Sequence, residues 1–490
     1  MTAVGTTPST RNLDVREQIA VRDPRTGVID AQIVPPTAGA LAAQATAMRA
    51  AQGAWVDAGV DGRAACMRAW RDAMASRRVA LTNALERDTG RRAISTMEVD
   101  LVLGAMDRWA TMAPAILQHH EMASAIPFVR IRPAASPYPL VGVISPWNFP
   151  LLLATLDAIP ALMAGCAVIV KPSEVTPRFI AIVQASIADV PLLRNVFALV
   201  PGAAATGQAL IDLVDMICFT GSVATGRRVA ERAAARFIPA ALELGGKDPA
   251  LVLASADLAH AAPALVWGSV INTGQSCLSI ERVYVDRSRH DELVQRLLAL
   301  ASAVSLSWPD ETRGPIGPII AERQVAVIEA QLADAVAQGA VVRCGGVIEA
   351  HGGGCWLRPT VLTNVHHGMR VMTEETFGPI IPIMPFASLD EGIRLANDSV
   401  FGLSAAVFAG TNDEALAVAE QLDAGAISIN DAALTAVMHE GEKQAFKLSG
   451  LGGSRMGAAS MRRFLRQKSY LIRQGIGRDP WWFPEPASTP

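Results

Sequence analysis

The sequence predicts an α/β fold in which parallel strands are covered by crossover helices. Three observations predict it. Short β-rich runs alternate with longer Ala-rich stretches of helical period along most of the chain. Cys166-Ala-Val-Ile-Val170 is apolar throughout, as a strand buried on both faces must be. At Phe219-Thr-Gly-Ser-Val-Ala-Thr-Gly226 a strand-like run passes through glycine straight into a helical one, the junction of a βα unit. With 490 residues the chain exceeds a single core, and at about 100–200 residues per domain it divides into two or three units.

Taken in order, apolar residues at helical spacing place helices at 39–56 and 62–89. Phe128-Val-Arg-Ile-Arg132 alternates apolar and basic residues before Pro133, which reads as a half-exposed strand outside the main core. Strands follow at 140–144 and 167–170. The stretch 151–170 has only Asp157 charged and approaches the length of a membrane span. Asp157, Pro160 and Gly165 interrupt it, however, and it ends in the β-branched run, so it reads as buried core. Further strands are expected at 198–200, 216–219, 250–252, 282–285, 405–408 and 426–429, with helices at 226–236, 291–304 and 320–338. Asp479-Pro-Trp-Trp-Phe-Pro484 sets three aromatics in a row, a cluster that needs cover from the chain's own body or from a neighbouring subunit.

Composition narrows the function. Hydrophobic residues make up 51% and charged residues 18%, ample for a compact body. A net charge of −3 without runs of like charge excludes a phosphate-backbone partner, so no nucleic acid is expected. The six cysteines lack CxxC pairs or histidines at ligand spacing, so no metal is expected and a reducing compartment suits them. The first twenty-five residues lack a basic-then-apolar signal pattern, and the reading is a cytoplasmic protein without a membrane partner.

Cys277 lies in Asn272-Thr-Gly-Gln-Ser-Cys-Leu-Ser279, small and polar, where glycine lets the backbone bend around a reactive atom; Cys66, Cys166 and Cys218 lie among apolar neighbours and read as core. A thiolate attacking a carbonyl needs donors for the oxyanion and a base to activate water. Asn148, between the prolines of Ser145-Pro-Trp-Asn-Phe-Pro150, can be a donor. Glu243, just before two glycines in Glu243-Leu-Gly-Gly246, can be the base. The strand–glycine–helix junction at Gly221 and Gly226 can aim N–H groups at a phosphate, and Lys171-Pro-Ser-Glu174 follows a strand at the end where α/β sheets bind ligands.

PWNFP, KPSE, FTGS, ELGGK, GQSC and EETFGP occur together and in the order found in the aldehyde dehydrogenase superfamily, within a likeness running from about Val141 to Gly457. The resemblance implies a Rossmann-like dinucleotide-binding domain (1–121 and 141–243), an α/β catalytic domain (244–435) and a small β oligomerisation segment (122–140 and 436–490). It implies Cys277 as nucleophile, Glu243 as general base, and Asn148 with the Cys277 N–H as the oxyanion hole. It places Ser145, Trp147, Lys171, Glu174, Gly221, Ser222, Gly226, Leu244, Glu375 and Phe377 along the cofactor. The cofactor is NAD, with NADP possible; Glu174 would repel a 2′-phosphate.

The expected reaction is oxidation of an aldehyde to the acid through a thiohemiacetal and thioester on Cys277. The ELGG-type glutamate favours hydrolysis over transfer to CoA. Leu152, Leu153, Leu156 and Leu278, with no Arg beside them, suggest an apolar aromatic or aliphatic aldehyde. Competing readings are a semialdehyde-specific dehydrogenase, an esterase using the same thiol, and a catalytically silent body of the same fold. A homodimer or homotetramer is expected through 128–132 and the segment after Arg462. Three departures from the family pattern stand out. His439-Glu-Gly-Glu-Lys-Gln-Ala-Phe446 replaces a proline–phenylalanine–glycine run, no glutamate follows Ser449-Gly450, and Val223 stands where relatives carry Thr.

Overall fold

A computed structural model describes residues 18–483. Two largely parallel sheets dominate it. In the first, strands run in the order Gly450–Leu451, Ala240–Glu243, Met216–Thr220, Leu140–Ile144, Ala167–Lys171 and Phe197–Leu199, all parallel except the two-residue edge from the chain's late part. In the second, the order is Val341–Cys344, Thr360–Thr363, Ile380–Phe386, Ile280–Asp286, Asp248–Val252, Ser404–Phe408 and Ala426–Ile429, with only Val341–Cys344 antiparallel. The α/β class expected from the alternation is the class observed.

Burial follows from strand period. Along the second sheet, Ala250, Val252, Val283 and Val285 pack into one apolar cluster, while Leu251, Tyr284 and Val407 pack into another on the opposite face. The first sheet shares a larger cluster with the amino-terminal helices, including Trp55, Trp70 and Met106. The stretch 151–170 belongs to it, forming helices Pro150–Leu156 and Ala158–Ala164 and then a strand. Among the described residues no helix is long and apolar enough to cross a membrane.

Some elements differ from expectation. The helix expected at 62–89 is two, Gly59–Ala75 and Arg78–Thr89. Between them Ser76 turns its hydroxyl onto the Ala73 carbonyl (2.8 Å) and Arg77 leaves helical geometry. The helix expected from 226 starts at Val223, because the Ser222 side chain caps it by accepting from the Thr225 N–H. Helices Arg92–Ile116 and Leu258–Val270 each contain a proline, Pro114 and Pro263, which reads in sequence as a breaker. The half-exposed strand at 128–132 runs on through Pro133 to Pro137. It pairs antiparallel with Leu465–Arg473, while Met122–Ala123 covers its other edge only at Arg130 and Ile131.

Candidate active site

The chain passes from one sheet to the other only a few residues after Glu243. Strand Ala240–Glu243 ends the parallel run of the first sheet, residues 244–247 cross, and Asp248–Val252 enters the second. Asp248 pairs with Ile280, which follows the Cys277 loop directly. The crossing and the loop therefore touch. A Cβ on Gly246 would lie 2.6 Å from the Cys277 carbonyl oxygen and 2.7 Å from an Asp248 oxygen, so only glycine fits there.

The approach to Cys277 is a left-handed bend, with Asn272, Thr273 and Gly274 at φ 56°, 59° and 67°. A Cβ on Gly274 would also overlap the Gly378 carbonyl and stand 2.6 Å from the Pro379 nitrogen. Side chains lock this shape. Gln275 donates through Nε2 to the Asn272 and Pro318 carbonyls (both 3.2 Å) and accepts from the Ile320 N–H (2.9 Å). Asn148 donates through Nδ2 to the Gln275 carbonyl (3.1 Å), and Asn272 donates to both the Gln275 and Asn148 carbonyls (2.9 and 3.1 Å). The residues expected as donor, base and nucleophile thus gather where the carboxyl ends of one sheet meet the amino ends of the other.

Electrostatics at the sulfur oppose its ionisation. Burial pushes the Cys277 thiol up to about 12; Lys443 acts against this, while Glu375, Asp248 and Glu243 push the same way as burial. Glu375 itself is raised to about 8 by burial and by the Glu281 charge, although its carboxylate accepts from the Gly246 N–H at 3.2 Å.

The residues expected along a dinucleotide line the carboxyl edge of the first sheet. Lys171 ends its strand and donates to the Gly202 carbonyl (2.9 Å) and to Glu174 (3.4 Å). The Ser145 N–H donates to the Lys171 carbonyl (3.2 Å), and its buried hydroxyl has no hydrogen-bond partner among the described residues. Gly221 donates to the Glu243 carbonyl (3.1 Å), and exposed Ser222 caps the thirteen-residue helix beyond. This edge fits a dinucleotide: a helix amino end in a glycine turn, an orphaned hydroxyl, and a Lys–Glu pair following adjacent parallel strands. Trp147 and Phe377 meet edge to face, ring centroids 5.5 Å apart. Gly226 is buried, and a Cβ there would come within 2.6 Å of the Leu244 side chain, so the glycine lets the helix pack on Leu244.

Several supporting residues escape a sequence reading. Buried Arg91 donates to the Asn148 carbonyl (2.7 Å) and lies over the Phe149 ring, and Glu98, two turns along the same helix, accepts from the Leu152 N–H (2.8 Å). Both ends of the Asn148–Pro150 turn are held by that one helix. Lys247 binds Glu281 (2.7 Å) and Thr376 (2.8 Å), and the Glu281 carboxylate accepts from the Thr376 and Phe377 N–H groups (2.8 Å each). The signal for this second set was present: Glu281 and Arg282 are adjacent charges between Ile280 and the run Val283–Val285 of one strand.

The description "Aldehyde dehydrogenase family" belongs to the family profile that matches residues 12–470. The chain belongs to the aldehyde dehydrogenase family. A family member of Mycolicibacterium smegmatis, provisionally named an NADP(+) succinate-semialdehyde dehydrogenase, is 35% identical over 96% of this chain and 91% of its own. Among solved structures, the aldehyde dehydrogenase PutA of Anabaena variabilis, also provisionally named, is 57% identical with a TM-score of 0.94, covering 96% of this chain and all of that one. The Mycobacterium tuberculosis aldehyde dehydrogenase complexed with NAD+ is 34% identical with a TM-score of 0.88, over 96% and 97%. In this aldehyde dehydrogenase the departures from the family pattern lie beside the site. Gly450 pairs with Glu243 and the Ser449 carbonyl accepts from the Leu244 N–H (2.8 Å), so the late glycine-rich segment forms the sheet edge at Glu243.

Proposed function

We propose that the protein oxidises an aldehyde to its carboxylic acid with Cys277 as nucleophile, Glu243 as general base, and Asn148 with the Cys277 N–H as oxyanion donors. The observation that carries this is the meeting of the three at the sheet junction: the Asn148 amide bonds the Gln275 carbonyl, two residues before Cys277, and the Glu243–Gly246 crossing packs on Cys277 itself. Burial raises the Cys277 thiol, so attack is coupled to passage of its proton to Glu243. The sulfur then bonds the carbonyl carbon and the oxygen takes up the charge, where the Asn148 Nδ2 and the Cys277 N–H donate to it. A nicotinamide, when bound, supplies the acceptor for the hydride. Glu243 gives the thiol proton up to solvent and then takes a proton from the water that attacks the thioester; the carbon–sulfur bond breaks, the carboxylic acid departs, and the Cys277 sulfur regains a proton. In NADH-production assays over aromatic, long-chain and carboxylated aldehydes, Cys277→Ala abolishes wild-type turnover. Activity that survives the substitution would sink this assignment.

NAD is the proposed cofactor, held by Ser145, Trp147, Lys171, Glu174, Gly221, Ser222, Gly226, Leu244, Glu375 and Phe377. Glu174 already engages Lys171 at the strand end, which favours a ribose diol over a 2′-phosphate. The structure of the Mycobacterium tuberculosis relative is complexed with NAD+, whereas the name of the Mycolicibacterium relative specifies NADP(+). The expected kcat/KM is about tenfold or more higher with NAD, and Glu174→Gln narrows the gap; an NADP preference in the wild type contradicts the reading. The domain boundaries at residues 121, 141, 243 and 435 and a homo-oligomer built through the three-stranded antiparallel sheet belong to the same proposal. That sheet's nine-residue outer strand, Leu465–Arg473, has a free edge among the described residues.

A further inference from the structure

We infer that Glu281 is a positioning residue for hydride transfer: its carboxylate fixes the backbone of Thr376 and Phe377 and so sets the Phe377 ring against the nicotinamide end of the cofactor. The inference deepens the dehydrogenase reading and rests on it.

Phe377 has φ 55°, in the left-handed region that a residue with a side chain seldom adopts, so its neighbours must hold it there. Glu281 supplies the hold. The Phe377 N–H donates to one carboxylate oxygen and the Thr376 N–H to the other, both at 2.8 Å, so one side chain clamps two successive amides. Buried Lys247 donates to the oxygen that Thr376 reaches (2.7 Å) and to the Thr376 hydroxyl (2.8 Å), which hands its own hydrogen to Gln331 (2.7 Å). A carboxylate kept ionised by that ammonium accepts more strongly than a neutral group would. The placement of Glu281 is local in origin. Asp248 pairs with Ile280 and Pro249 with Arg282, so Glu281 is the extra residue of a bulge, a device that re-aims a side chain. Arg282 donates to the Lys247 carbonyl (2.8 Å) and ties the crossing to the same strand.

The clamp ends on an aromatic pair. Phe377 meets Trp147 edge to face, and the two belong to a small apolar cluster with Ile320 and Ala321, separate from the larger cores. The rest of the proposed cofactor site is held by other groups. Lys171 and Glu174 bond each other at the edge of the first sheet, while Glu375 is fixed through its carboxylate by the Gly246 N–H (3.2 Å) and through its carbonyl by the Gln331 amide (3.1 Å). Loosening the clamp is therefore felt at the nicotinamide ring and not at the adenosine.

The test titrates NAD and ADP-ribose, which lacks only the nicotinamide, into wild type, Glu281→Gln and Glu281→Gln combined with Lys247→Met, with heat as the readout. Glutamine keeps the shape of the side chain but turns an amide N–H toward one of the two backbone N–H groups, which loses its acceptor. The double variant removes both buried charges together and strands no ammonium. In both variants the Kd for NAD is expected to rise about tenfold or more while that for ADP-ribose stays within about twofold. NADH formation in a single turnover at saturating NAD is expected to slow about tenfold or more as well. An unchanged single-turnover rate, or NAD binding as tight as in wild type, overturns the inference. So does an NAD-specific loss that disappears in the double variant, because the stranded lysine would then be its cause. Equal weakening of both ligands in variants of a wild type that prefers NAD refutes the positioning role alone. A wild type that binds ADP-ribose as tightly as NAD refutes the nicotinamide reading of this segment, and the inference falls with it.

Discussion

At the scale of the residue, burial of Cys277 makes its proton part of the chemistry. A thiol held near about 12 reacts only through the small fraction ionised, so the rate of alkylation by iodoacetamide rises about tenfold per pH unit between roughly pH 7 and 10. A plateau below pH 9 would show that the resting nucleophile is already a thiolate. Cys277, Glu243 and Asn148, the proposed nucleophile, base and amide donor, stand out in sequence because each sits in a short string whose neighbours, glycine or proline, announce a constrained backbone. Arg91 does not. Arg91 reaches Asn148 across 57 positions, and a charge whose partner is distant in sequence resembles a solvated surface residue until the fold brings the two together.

At the scale of the element, the decisive feature is the left-handed bend before Cys277. Gly274→Ala would place a methyl group in a backbone conformation that disfavours it and against Gly378 and Pro379, so the loop must shift. The expected outcome is a loss of kcat of about tenfold or more with cofactor affinity retained, because misplacing a reacting group by about an ångström has effects of that order; kinetics near those of wild type would contradict it. Strands were read well because parallel strands buried on both faces give unbroken apolar runs, as at Ala167–Lys171. Helices were read less well, for physical reasons. A side-chain cap starts Val223–Ala235 earlier than its apolar periodicity does, Pro263 lies inside a helix that the core stabilises, and a serine hydroxyl breaks a run that keeps its helical period.

At the scale of the whole molecule, buried Asp157 ties the late segment to the first sheet. Burial alone would raise its carboxyl, but Arg455 and Arg463 outweigh that and hold it down to about 2. Arg455 also donates to Thr220, one strand away from Glu243. Asp157→Asn leaves two buried guanidinium groups without their counter-charge and is expected to cost about 3–5 kcal/mol. A lowered folded-state value means the stabilisation is present above the unfolded carboxyl's pKa of about 3.9 and is lost as pH falls toward 2. Thermal melts should therefore separate variant and wild type clearly at pH 7 and bring them together near pH 2; equal melting at pH 7 contradicts the account. The closing of both sheet edges by late residues has a consequence for how the protein is made. A nascent chain still on the ribosome can hold Cys277, Glu243 and Asn148 long before Gly450 pairs with Glu243 and Leu465–Arg473 pairs with Val129–Pro137. Chains that terminate early would carry these groups yet leave the strand that ends at Glu243 unpaired at its edge.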